Sequence, residues 1–281
     1  MSEYRTGSVA SADGTVIGYR QLGSGPALLL LHGGMQAAQH LMKLATALST
    51  EFTVYVPDRR GRGLSGSHGT DYGIERETED LRALVEKTGA AQVFGLSSGA
   101  LITLRSALTI PEITAVALYE PPLSVNGSVR LDWVPRFERE IARGRFASAL
   151  ATVFKGLAVE PTLGRIPRFA LVPFLALGAR LQRSDSSADV PIPALVPTQR
   201  FDVQLVEELA DTARDYATLS SRVLLLGGTK SPAFLGISLD ELSATIPNAQ
   251  RSTFSGLGHS GPDDDGDPTR IAEALRAFFT T

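Results

Sequence analysis

Gly95-Leu96-Ser97-Ser98-Gly99 is the stretch of this chain best suited to covalent chemistry. A short apolar run, Ala91–Phe94, leads into it, and helix-forming residues, Ala100–Leu108, lead out. A serine at the tip of so sharp a strand-to-helix turn stands exposed on a strained backbone, with glycines on both sides where side chains would collide. Its hydroxyl is a weak nucleophile until a base takes the proton, and the oxyanion formed by its attack needs hydrogen-bond donors. The pattern alone says little. With 27 Gly in 281 residues, it arises by chance in roughly one such chain in five.

A base stands far downstream, in Gly256-Leu257-Gly258-His259-Ser260-Gly261, just after the last expected strand. Glycines on both sides let a loop carry the His259 imidazole over the sheet edge. Donors are suggested by Leu31-His32-Gly33-Gly34-Met35, which follows another apolar run. Small residues there let backbone N–H groups approach a substrate, and Gly34 is expected to supply one. The second is expected from Ser98, at the start of the next helix, whose dipole also favours negative charge. His32 is expected to hold its loop rather than carry protons.

These residues must be positioned by a sheet. Tyr4–Ala10 and Thr15–Leu22 flank a turn at Ala12–Gly14 and read as an antiparallel hairpin. Ala27–Leu31, Thr53–Val56, Ala91–Phe94 and Ala115–Leu118 are short apolar runs, as expected of parallel strands covered on both faces. Helical patterns at Ala37–Leu48, Gly73–Thr88 and Ala100–Leu108 separate them. This succession predicts a doubly wound, mostly parallel eight-stranded α/β sheet. The rhythm breaks after Pro122: helices are expected at Val134–Arg143, Phe146–Ala158, Arg168–Gln182 and Asp202–Arg214, with a loose segment at Ser184–Pro193. The sheet then resumes with strands at Arg222–Leu226 and Gln250–Phe254 and helices at Leu239–Ile246 and Pro268–Phe279. A core of residues 1–121 and 220–281 with a helical cap inserted at 122–219 is the expected organisation.

Composition sets the outer bounds. The chain is 43% hydrophobic and 20% charged with a net charge of −3, which gives no electrostatic case for nucleic acid or an anionic membrane as partner. It has no cysteine, which excludes disulfides and thiolate metal sites. Its four histidines, His32, His40, His68 and His259, offer no pair at metal-ligand spacing, so no metal is expected. The polar start at Met1–Arg5 lacks a signal-peptide core, and the longest apolar stretch, Pro26–Leu31, is too short to cross a bilayer. A soluble, cytoplasmic protein acting on a small molecule is the expectation, with a homo-oligomer compatible with it.

Together, His32-Gly33-Gly34, Asp58-Arg59-Arg60-Gly61-Arg62-Gly63-Leu64-Ser65, the Gly95–Gly99 turn and Gly256-Leu257-Gly258-His259 fall in the order seen in α/β-hydrolases. The chain resembles that family from Tyr4 to its last helix. The resemblance implies a Ser97 nucleophile, a His259 base and no cofactor, with Asp58–Ser65 as a structural loop. It also implies an acid after the strand that follows the cap, but that loop reads Gly227-Gly228-Thr229-Lys230-Ser231-Pro232 and holds no carboxylate. Asp240 and Glu241 come later, at an expected helix start. Some branches of the fold place the acid after the strand that follows the nucleophile helix, where Glu120 stands here. Glu120 is therefore the expected acid.

The expected reaction is ester or lactone hydrolysis through an acyl-enzyme on Ser97, with a small, apolar substrate. Carbon–carbon bond hydrolysis or cofactor-free perhydrolysis on the same residues remains compatible, as does a slow, hydrolase-like receptor. Relatives that attack with a carboxylate, the dehalogenases and epoxide hydrolases, do not fit a serine.

Overall fold

The computed structural model describes residues 4–159, 161–181 and 189–280. Eight strands form one sheet: β1 (Arg5–Ala10), β2 (Val16–Leu22), β3 (Ala27–Leu31), β4 (Thr53–Pro57), β5 (Gln92–Leu96), β6 (Ala115–Tyr119), β7 (Arg222–Gly228) and β8 (Gln250–Phe254). Their spatial order is β1-β2-β4-β3-β5-β6-β7-β8. β1 and β2 form the expected hairpin, and β2 runs antiparallel to β4. All later pairs are parallel. The near-continuous apolar sequences of β3, β5, β6 and β7 are buried on both faces, which is why they read as runs rather than as alternation.

Helices cover the two faces. α1 (Met42–Leu48) and α11 (Pro268–Phe279) pack on one, where Leu44, Leu48, Ile271 and Leu275 meet Leu28, Leu30 and Phe94. α2 (Ile74–Thr88), α3 (Ser98–Ala107) and α10 (Ala233–Thr245) pack on the other through Leu81, Leu101 and Leu242. Strand order reverses at β3, which pairs with β4 on one side and β5 on the other. A crevice opens at the carboxyl ends of strands at such a reversal. Both the His32–Gly34 loop and Ser97 follow directly from these two strands.

Among the described residues, the elements between β6 and β7 are all helical and include α4 (Val134–Ala142), α5 (Phe146–Leu157), α6 (Pro161–Arg165), α7 (Arg168–Leu181), α8 (Ile192–Leu195) and α9 (Gln199–Glu208). Trp133, Phe137, Ala149, Leu150, Val153, Val196 and Val203 give this insert a small apolar cluster of its own. The expected end of the Arg168 helix at Gln182, and positions 184–188 of the loose segment, lie outside the described residues.

Some boundaries differ from the sequence reading. The helix expected at Ala37–Leu48 begins as a 3-10 turn at Ala38–Leu41, where Asp58 Oδ1 accepts the Ala38 N–H and fixes a non-α start. α9 starts at Gln199 and ends at Glu208, and Ala213–Thr218 forms a separate 3-10 turn. α10 begins at Ala233, directly after Pro232, because Gly236 does not break it. Asp240 and Glu241 therefore sit well inside that helix and not at its start.

Candidate active site

Ser97 occupies the turn between β5 and α3 with φ 55° and ψ −122°, a conformation that side chains seldom adopt. The turn is held because Ser97 N–H donates to Tyr119 O at 2.9 Å while its own carbonyl starts the α3 ladder. Two glycines make the geometry possible. A Cβ on Gly95 would lie 2.5 Å from Gly99 O, and one on Gly99 would lie 2.5 Å from His32 O. The serine is thus pressed out of a turn whose flanks have no room for side chains.

Glu120 follows β6 and also has a left-handed backbone, φ 48°. Its carboxylate is 1% exposed and fully engaged. Oε1 accepts Gly228 N–H at 2.7 Å, and Oε2 is 2.7 Å from His259 Nδ1. A carboxylate only accepts, so His259 Nδ1 carries the proton and Nε2 is left as the acceptor. The His259 loop is tied down from below: Tyr119 Oη donates to Gly258 O at 2.7 Å, and Lys230 N–H donates to Leu257 O at 2.8 Å. Ser97 and His259 border the same two cavities, but no hydrogen bond joins them. Such contacts often tighten only once substrate is bound.

The loop after β3 is equally ordered. His32 Nδ1 donates to Gly33 O at 2.9 Å and Nε2 accepts Arg59 N–H at 3.1 Å, a pattern only the neutral ring can make. Burial first, then the nearby Arg62 and Arg59, hold its pKa well below the usual range. His32 is therefore a structural group, as the sequence suggested. Gln36 extends the loop: its Oε1 accepts Gly33 N–H at 2.8 Å and its Nε2 donates to Asp263 at 2.7 Å. The N–H groups of Gly34 and Ser98 have no acceptor among the described residues, and both residues line the narrower cavity beside Ser97.

Beneath the turn lies a buried ionic cluster that the sequence did not reveal. Asp202, on α9, accepts Arg59 Nη1 (2.8 Å), Ser98 Oγ (2.8 Å) and Arg62 Nη2 (2.7 Å). Arg59 in turn meets Glu77 at 2.7 Å, and Tyr72 Oη donates to that same carboxylate at 2.6 Å. Burial alone would raise the Asp202 pKa. The Arg62 and Arg59 charges outweigh it and hold the carboxyl at about 2. Residues from the Asp58–Ser65 loop, α2, α3 and α9 are thereby locked together directly behind the nucleophile turn.

Two cavities meet at Ser97 and His259. The narrow one, about 90 Å³, is walled mainly by apolar side chains including Leu131, Trp133, Val203 and Phe234. The wide one, about 1060 Å³, is bordered by the whole 256–261 loop, Lys230, Arg165 and Asp263. Burial is the main reason that the Asp263 pKa is pushed up to about 7. Among the described residues no cluster of three or more His, Asp or Glu could hold a metal ion.

The structure thus brings together Ser97, His259, Glu120, Gly34 and Ser98. It does not bring Asp240 or Glu241 to them: Asp240 is exposed and ion-paired with Arg251 on the outside of the sheet. Sequence reasoning missed Asp202, Gln36 and Gln199, a buried α9 residue on the wall of the narrow cavity. No local motif marks these three.

Comparisons with known proteins agree with this architecture. A family model described as "Alpha/beta hydrolase family" matches residues 28–274, from β3 to α11. A pimeloyl-[acyl-carrier protein] methyl ester esterase of Xanthomonas campestris pv. campestris (strain B100) is 29% identical over 265 residues, covering 92% of this chain and 96% of its own. The solved structure of an alpha/beta hydrolase from Sphaerobacter thermophilus superposes with a TM-score of 0.78 at 32% identity, covering 97% of this chain and 100% of the other. An esterase from Rhodococcus sp. ECU1013 shares the fold with a TM-score of 0.70 at 24% identity, over 100% and 99% of the two chains. Strand order, the serine turn after β5 and the extent of the family match lead to one conclusion: this chain belongs to the alpha/beta hydrolase family.

Proposed function

We propose that the protein hydrolyses carboxylic esters through an acyl-enzyme on Ser97. The observation that carries the reading is the 2.7 Å contact between His259 Nδ1 and Glu120 Oε2, made beside a serine forced outward by its backbone. Ester-cleaving relatives at 29% identity over nearly the full length support the bond type.

In this mechanism His259 Nε2 takes the Ser97 proton as Oγ attacks the ester carbonyl. The Gly34 and Ser98 N–H groups receive the oxyanion, and the start of α3 adds its dipole. His259 then gives the proton to the leaving alkoxide. Water repeats the sequence: His259 accepts its proton, hydroxide attacks the acyl carbon, and the C–O bond to Ser97 breaks with the proton returned to Oγ. Glu120 holds the imidazole in the required tautomer and stabilises its charged form.

The insert at 122–219 acts as a cap on the core formed by 1–121 and 220–281. The leaving oxygen must face His259, whose loop borders the wide cavity, so the alcohol portion lies there. The acyl portion then occupies the narrow apolar cavity, which suits a compact chain. The test is hydrolysis of p-nitrophenyl esters of increasing acyl length. Turnover of acetate and butyrate, falling off for octanoate and lost in Ser97→Ala, is expected. Undiminished turnover in Ser97→Ala, or none in the parent protein, contradicts the proposal.

A further inference from the structure

Among the described residues, the wall of the narrow cavity contains one polar side chain that neither the fold nor the proposed catalysis uses. Trp133 spends its indole N–H on Arg130 O at 3.0 Å. Both oxygens of Asp202 are taken by Arg59, Ser98 and Arg62. Gln199, the first residue of α9, is 7% exposed, and its side-chain amide has no hydrogen-bond partner among the described residues. Its amide lines the cavity without a protein partner, which calls for an explanation.

Its position supplies one. A Cβ added to Gly34 would lie 2.9 Å from Gln199 Oε1, so the amide sits against the loop expected to bind the oxyanion. A Cβ added to the preceding Gly33 would lie 2.9 Å from Ser97 Cβ, which places this loop against the nucleophile. The amide therefore faces the part of an acyl chain nearest its carbonyl. It borders the narrow cavity and not the wide one.

We infer that Gln199 reads a neutral hydrogen-bonding substituent, such as a hydroxyl or oxo group, carried on the acyl chain within a few atoms of the scissile carbonyl. An amide offers both a donor and an acceptor, which matches a hydroxyl. An anionic substituent is disfavoured, because the ionised Asp202 lies in the same wall. The inference rests on the proposed acyl-enzyme reading and refines it from a plain apolar acyl group to a short, substituted one.

Phenyl butyrate and phenyl 3-hydroxybutyrate test it, with the parent protein and with Gln199→Leu and Gln199→Met. The parent is expected to favour the hydroxy ester by about tenfold in kcat/KM, the scale of one good hydrogen bond. Both variants should lose that preference, bringing the ratio of the two kcat/KM values to about one. Thermal unfolding of the two variants checks that they fold, and removing an amide without a protein partner should not lower their stability. No preference in the parent, or an equal loss on both esters in a folded variant, overturns the inference while leaving the hydrolase reading intact. No hydrolysis of phenyl butyrate by the parent overturns both.

Discussion

Two buried carboxylates flank the Ser97 turn, and they are wired differently. Glu120, after β6, faces a histidine whose other nitrogen opens on the cavities. Asp202, on α9, faces two arginines that cannot give up their charge. A carboxylate paired with a titratable ring can support proton movement. One neutralised by permanent cations can only hold structure. The difference also explains why the insert is anchored at α9: its helix supplies the anion that a buried arginine pair beneath the turn requires.

Breaking the two sides should give opposite signatures. Glu120→Gln keeps the shape but removes the charge that fixes the imidazole, and kcat for an ester should fall by about 10⁴ with little change in thermal stability. Asp240→Asn, on the exposed outer helix, should leave turnover unchanged and serves as its control. Asp202→Ala leaves the buried Arg62 guanidinium without its carboxylate and strips Arg59 of one of its two, and should cost about 3–5 kcal/mol in chemical denaturation. If Glu120→Gln unfolds the protein while Asp202→Ala only slows it, the assigned roles are reversed.

Smaller changes sharpen the contrast. Ser98→Ala removes the hydroxyl that joins the turn to Asp202 but leaves the arginine pairs, for an expected loss of about 1 kcal/mol in the same denaturation assay. A third carboxylate, Asp263, has neither a histidine nor an arginine hydrogen-bonded to it among the described residues. Gln36 donates to it, and His259, Asp264 and Asp265 are the charged or titratable groups acting on it. Its folded pKa of about 7 lies above the usual aspartate value of 3.8. The folded state then binds more protons between those values, and stability from this group falls as pH rises from about 4 to 7. Asp263→Asn should therefore melt higher than the parent at pH 8, with the gap closing as the pH drops to 5.

The Glu120 side was legible in the sequence and the Asp202 side was not. Glu120 ends an apolar strand next to a motif-bearing turn, and the loop that should have held the acid contains only Thr229, Lys230 and Ser231. Strand order alone brings it to His259. Asp202 reads as one acidic residue on an amphipathic helix, and its partner Arg59 lies 143 positions earlier. Only the folding of the insert over the turn brings them together. The same holds for Gln199, whose missing partner is visible only once the cavity wall is assembled. Asp240 misled in the opposite way: Gly236 and the apolar run around it obscured where α10 begins, so a mid-helix surface residue looked like a helix cap.

Ser97 is proposed as the nucleophile, poised by His259 and Glu120. Intact-mass measurement after brief exposure to a fluorophosphonate tests it most directly. One adduct per chain, mapped to Ser97, absent in Ser97→Ala and formed far more slowly in Glu120→Gln, is the result expected. An adduct that persists in Ser97→Ala, or a parent protein that takes up none, would contradict the account.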